Sequence, residues 1–101
     1  MSNPLRGEAC LPVQDRRYVM RPSFDALVAA EEELGSLFAL VERAGAGGLR
    51  LTEIAALFWH CLPPSDRPDR KAVGAAVLAM GLAKASKPLK TLLGDILRGC
   101  A

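Results

Sequence analysis

Aromatic residues are scarce in this sequence: phenylalanine, tryptophan and tyrosine make up 5% of its 101 residues. A core must therefore be filled by leucine, valine and alanine, and leucine and alanine favour helix. Charge of one sign is also lacking, since 13 lysine and arginine residues oppose 11 acidic residues. A formal net charge of +2 is too small to indicate nucleic-acid binding by itself.

Long apolar runs are absent as well. No stretch reaches the roughly 18–20 apolar residues that a membrane-spanning helix needs. Residues 1–8 have no apolar core of the kind found in signal peptides. We therefore expect a cytoplasmic protein with no membrane partner. Its length predicts one domain, over residues 7–101, after a flexible N-terminus at residues 1–6.

The sequence also lacks the motifs that carry chemistry. Cys10, Cys61 and Cys100 are widely spaced, so we expect reduced thiols rather than a zinc site. There is no phosphate-binding loop and no arrangement of nucleophile and base. We predict no catalytic residue, no metal ligand, no cofactor and no small-molecule substrate, and an enzyme is the least favoured class.

What is present begins with a pair of short strands. Residues 7–13 place Ala9, Leu11 and Val13 on one side, and residues 16–21 resume an extended pattern after a turn at Gln14-Asp15. Pro12 removes a ladder donor, which is typical of an edge strand. Because an isolated hairpin is marginal in water, it must lie against helices or pair with another chain.

The rest of the sequence alternates helix caps, apolar stripes and stops. It predicts a mainly α fold, in which the N-terminal β-hairpin is followed by a compact bundle of four or five short helices. The first helix should carry Phe24, Leu27, Val28 and Leu34 on its apolar face and close at Gly35. The helix starts that we predict after it are a cap at Ser36, a cap at Thr52 before a helix at 53–62, a cap at Ser65 or Asp66, and a cap at Ser86 with Pro88 in the first turn.

Four short motifs follow one another in a recognisable order. They are Tyr-x-x-Arg-x-Ser-Phe at 18–24, Glu-x-x-Leu-Gly-Ser-Leu at 31–37, Leu-Thr-Glu-Ile at 51–54 and Met-Gly-Leu at 80–82. In this order the chain resembles the small gene-transfer-agent and phage-tail family of α-proteobacteria, whose members are described as tail-tube components and as tail assembly chaperones. The proline-rich segment 63–68 departs from the family pattern.

The resemblance implies a role in building a phage-like tail, with incorporation in a particle as one outcome. A chaperone of this kind binds the tape-measure protein, a long helical rod, until tail-tube subunits replace it. The alternative is a structural tail-tube component that contacts tail-tube subunits or further copies of itself. The short, helical chain favours the chaperone, since a tube wall is normally built on sheet.

Three residues are candidates for binding a protein partner. Arg17 and Arg21 could contact an acidic partner or a phosphate, although charges at a hairpin edge also prevent aggregation. Trp59 is the sole tryptophan; it either anchors a partner or packs in the core, and core packing is the commoner fate of tryptophan. A small helical DNA-binding regulator is a weaker hypothesis, because the candidate recognition helix at 68–80 carries mostly alanine, valine and glycine.

Overall fold

The computed structural model describes residues 9–98, apart from the side chains of Asp95, Leu97 and Arg98. Within this range a two-stranded antiparallel hairpin is followed by five α-helices and one 3₁₀ turn, which confirms the predicted fold class. The proposed flexible residues 1–6 lie outside the described residues. The elements are β1 (Ala9–Val13), β2 (Arg16–Met20), α1 (Phe24–Leu34), α2 (Leu37–Gly45), α3 (Leu51–Cys61), the 3₁₀ turn (Pro64–Asp66), α4 (Arg70–Met80) and α5 (Leu82–Arg98).

The hairpin has the register that the sequence pattern requires. Leu11 pairs with Tyr18 and Val13 pairs with Arg16 across a two-residue turn, in which Gln14 has a φ of 55°. Ala9, Leu11 and Val13 are buried on one face, as predicted. The second strand is shorter than predicted, because Arg21 leaves the ladder and donates its main-chain N–H to the carbonyl of Cys61 at 2.8 Å.

Local capping fixes the first two helices where the sequence predicts them. The Ser23 hydroxyl accepts a hydrogen bond from the Ala26 N–H, and the Ser36 hydroxyl accepts one from the Ala39 N–H. Between the helices Gly35 has a φ of +90°, a conformation that side-chain-bearing residues avoid. The second helix is therefore separate and not a bent continuation of the first.

The predicted apolar face of α1 is only partly correct. Phe24 is 80% exposed and Val28 is 39% exposed, whereas Ala30 is fully buried. A helical period identifies residues that share a face. It does not say whether another element covers that face, and the elements around α1 cover Ala30 rather than Phe24.

Three predicted helix starts are wrong. Helix α3 begins at Leu51, so Thr52 lies inside it; Arg50 is the N-cap, and its N–H donates to the Glu53 carboxylate at 2.9 Å. Helix α4 is capped by Asp69, which accepts from the Ala72 N–H at 2.8 Å. Ser65 and Asp66 instead form the 3₁₀ turn. Around α4, Ser65, Asp66 and Asp69 can all cap a helix, and packing selects Asp69.

The last helix begins five residues earlier than predicted. Gly81 ends α4 with a φ of +91°, and α5 starts at Leu82. Ser86 does not cap the helix, since its hydroxyl donates to the Ala83 carbonyl, and Pro88 lies inside the helix. The early start places Ala85, which is 1% exposed, in the core beside Leu89, Leu92 and Leu93.

The core lies between the inner face of the hairpin and helices α3, α4 and α5. Helices α4 and α5 pack on β1, and α3 packs between α1 and α4. The largest fully buried side chains are Phe58, Leu11, Met20, Leu40, Leu57, Leu62, Leu92, Val13, Val73 and Val77.

We expect Leu92→Asp to unfold the domain. Leu92 is fully buried in the core. A carboxylate at this position would lose its hydration shell and gain no hydrogen-bond or ionic partner, which should cost ~4 kcal/mol or more of folding free energy. Thermal unfolding followed by circular dichroism measures the loss. Leu78→Asp is the matched control, because Leu78 is 61% exposed, and its melting temperature should stay close to that of the wild type. Equal destabilisation by both substitutions would contradict the burial pattern.

Candidate functional site

A cleft of about 830 Å³ runs between β2, the start of α1 and the end of α3 with the loop that follows it. We call it the arginine cleft. Its charged lining consists of Arg16, Arg17, Arg21, Asp25, Asp66 and Arg67. The three residues that the sequence offered as partner-binding candidates, Arg17, Arg21 and Trp59, all line it. The structure thus brings them to one surface, and their role in binding stays a prediction.

One ion pair inside the cleft neutralises two of its charges. Arg16 and Asp66 lie 50 residues apart in the sequence, and both guanidinium nitrogens of Arg16 donate to the carboxylate of Asp66. The hydrogen bond from Arg16 holds the pKa of Asp66 below its usual value. Both side chains are more than half exposed, so the pair contributes little to stability. It does close the end of the cleft next to the hairpin turn.

Trp59 forms the wall of the cleft opposite the hairpin. Its indole N–H donates to the Pro68 carbonyl at 3.0 Å, and the guanidinium carbons of Arg67 and Arg70 lie 4.0 and 4.4 Å from its ring centroid. Arg67 also donates to the Trp59 carbonyl at 3.2 Å. Trp59 is therefore half-buried and held by the loop that joins α3 to α4. Arg67 and Arg70 were not among the predicted binding residues. They follow Trp59 by 8 and 11 positions, and no local sequence pattern links them to it.

Behind Trp59, three charged or titratable side chains join three helices. The carboxylate of Glu33 on α1 accepts two hydrogen bonds from Arg70 on α4, at 2.5 and 2.6 Å, and lies 2.8 Å from His60 Nε2 on α3. The hydrogen bonds from Arg70 and His60 lower the pKa of Glu33 to about 2. The His60 side chain is 9% exposed, whereas its partner Glu33 stays partly exposed at 36%.

A second surface is apolar. Leu37, Phe38 and Val41 of α2 and Ile96 of α5 line a shallow groove of about 180 Å³, with Glu31 at its rim. We call it the Phe38 groove. Phe38 is 76% exposed, an unusual position for a phenylalanine. The sequence placed Leu37, Phe38 and Val41 on one short helix but gave no sign that α5 faces them.

The described residues offer little else that resembles a chemical site. Among residues 9–98, no group of three or more histidine, cysteine, aspartate or glutamate side chains could hold a metal ion. None of the helices described combines the length and the apolar character that crossing a bilayer requires. Burial raises the pKa of the Cys61 thiol to about 12, which makes it a poor nucleophile at neutral pH.

Comparison with known families places the chain among the proteins of phage-like tails. Residues 6–99 match the family described as phage tail tube protein, GTA-gp10, and the chain belongs to that family. No curated protein and no solved structure matches the chain. The resemblance drawn from the four motifs is confirmed, and the protein is a component of a phage-like tail.

We expect Glu33→Gln to lower the free energy of unfolding at pH 7 by up to about 1 kcal/mol. The effect is small because solvent screens the partly exposed ion pair between Glu33 and Arg70. The pKa of Glu33 in the folded protein, about 2, lies below its ordinary value of 4.5. Its stabilising effect is therefore complete above pH 4.5 and is lost as the pH falls toward 2. Denaturant unfolding of the wild type and the variant should converge over that interval. Glu32→Gln changes an exposed neighbour and should leave the profile unchanged.

We expect Trp59→Ala to lower the melting temperature, because the indole carries a hydrogen bond and two guanidinium contacts. The loss should be about 2 kcal/mol, less than the roughly 3–5 kcal/mol of a fully buried tryptophan. Phe24→Ala, at an 80% exposed position, is the control and should change stability little. An unchanged melting temperature together with lost partner binding would instead make Trp59 an anchor for the partner.

Proposed function

We propose that this tail protein acts as an assembly chaperone that binds the tape-measure protein until tail-tube subunits replace it. The observation that carries the proposal is the Phe38 groove. An apolar groove between two helices accepts the apolar face of a third helix, and a tape-measure protein is a long helical rod. Phe38 lies at the groove and is 76% exposed, so its ring can pack between the apolar side chains of a partner helix.

A groove of this size supports only weak binding by one copy. Many copies along one rod would bind with strong avidity from weak single contacts, and weak contacts allow later replacement. Apolar faces of the rod that would otherwise aggregate would be covered until the tube forms. The proposal is one of binding and release, with no catalytic step.

The second candidate is a structural tail-tube component. The description of the family favours it, and so does the hairpin, whose strand β2 has β1 on one side only. A tube subunit could pair that strand with a neighbouring subunit. The DNA-binding regulator is favoured by no such observation. The exposed positions of α4 after its first turn include Ala75, Leu78 and Ala79, which cannot form hydrogen bonds with base edges.

We expect Phe38→Asp to abolish binding to the tape-measure protein. The test is co-expression with the tape-measure protein of a gene transfer agent, followed by co-purification and by measurement of the soluble fraction of the tape-measure protein. The wild type should keep the tape-measure protein soluble and co-purify with it. Phe38→Asp should do neither while keeping the wild-type melting temperature, since the position is exposed.

Phe24→Asp is the matched control, because Phe24 is equally exposed but lies outside the groove. Loss of binding with both variants would remove the groove from the proposal. Absence of binding by the wild type, with rings or tubes of the purified chain visible by electron microscopy, would favour the tail-tube component instead.

A further inference from the structure

The hairpin register determines which main-chain groups of β2 face away from β1. Val13 and Arg16 flank a two-residue turn, and the residues that flank such a turn form a hydrogen-bonded pair. Hydrogen-bonded and non-hydrogen-bonded pairs then alternate along an antiparallel ladder. Leu11 with Tyr18 is therefore hydrogen-bonded, whereas Pro12 with Arg17 and Cys10 with Val19 are not. The N–H and C=O groups of Arg17 and Val19 point away from β1.

Two observations agree with this assignment. Pro12, which has no N–H to give, falls at a position where the ladder needs none. In the described part of the chain, no backbone hydrogen bond in a turn, loop or cap uses Arg17 or Val19. The open edge ends at Met20, because the next N–H, that of Arg21, is donated to Cys61.

The arginine cleft lies along this open edge. Arg16, Arg17, Tyr18 and Val19 all line it, although successive residues of a strand point to opposite faces. A cleft lined by four consecutive strand residues must run beside the strand rather than over one face. An added strand would lie about 4.8 Å from β2, within a cleft of about 830 Å³.

The charge of the cleft selects what can pair with this edge. Its lining carries four arginines, Arg16, Arg17, Arg21 and Arg67, against Asp25 and Asp66, which gives a sum of +2 with His60 counted as neutral. A second copy of the cleft would carry the same net positive charge, and like charges on paired strands are destabilising. An acidic strand would meet a lining whose net charge has the opposite sign.

We infer that the open edge of β2 binds an extended acidic segment of a partner protein, which adds as a third strand of the hairpin. Main-chain hydrogen bonds to Arg17 and Val19 supply the pairing, and the arginines of the cleft select acidic side chains. The site shares no residue with the Phe38 groove, so the inference and the proposed function can be tested independently of each other.

The test uses a short blocked peptide that alternates glutamate and valine, titrated into isotopically labelled protein and followed by NMR and hydrogen exchange. The amides of Arg17 and Val19 should gain protection on binding, while that of Tyr18, already in the ladder, should change little. Arg17→Glu should weaken binding roughly tenfold at low salt, because it replaces attraction by repulsion. Lys90→Glu makes the same charge change on α5, outside the cleft, and should weaken binding much less.

Two further probes separate main-chain pairing from simple charge attraction. Val19→Pro removes one outward N–H, as Pro12 already does on β1, and should lower affinity without loss of the fold. The same peptide with alternate amides N-methylated should bind poorly, and so should the lysine–valine peptide. Equal binding of the N-methylated peptide would overturn the inference. Protection of the same amides by duplex DNA, or no binding of the acidic peptide at millimolar concentration, would overturn it as well.

Discussion

The structure depends on covering the apolar face of a hairpin that could not persist alone. Two strands in water are marginal, and Ala9, Leu11 and Val13 place their side chains on one face of β1. Helices α4 and α5 cover that face and make it part of the core. The same helices contact β1 and leave the outer edge of β2 open. The packing that stabilises the hairpin therefore also leaves one of its edges available for pairing.

Polar contacts between distant residues then position the helices around this core. Glu33 connects α1 to α3 and α4 through His60 and Arg70, and Trp59 packs between Arg67 and Arg70 in the same region. These contacts tie the end of α1 to α3 and α4, and Trp59, His60 and Arg67 also line the arginine cleft. Because the pair between Arg70 and Glu33 is partly exposed, it contributes modestly to stability and acts mainly by orienting the helices.

The two surfaces differ in the kind of contact that they support. Binding in the Phe38 groove would rest on apolar burial and depend little on salt, whereas binding in the arginine cleft would weaken as salt screens its charges. A component of a phage-like tail contacts other tail proteins as the tail is assembled. Separate surfaces with different chemistry would let one small chain engage two partners, or two parts of one partner, without competition.

Local chemistry in the sequence determined the hairpin, the caps at Ser23 and Ser36 and the breaks at Gly35 and Gly81, because each depends on residues within a few positions. The order of four short motifs also determined the family. Tertiary structure decided the rest. Helix α5 begins before Ser86 and so includes the buried Ala85, and Glu33 contacts His60, which lies 27 residues further along the chain. It also gathered Arg17, Arg21 and Trp59 on one cleft and left Phe24 exposed. A periodic pattern shows which side chains share a face, but only the folded chain determines what that face meets.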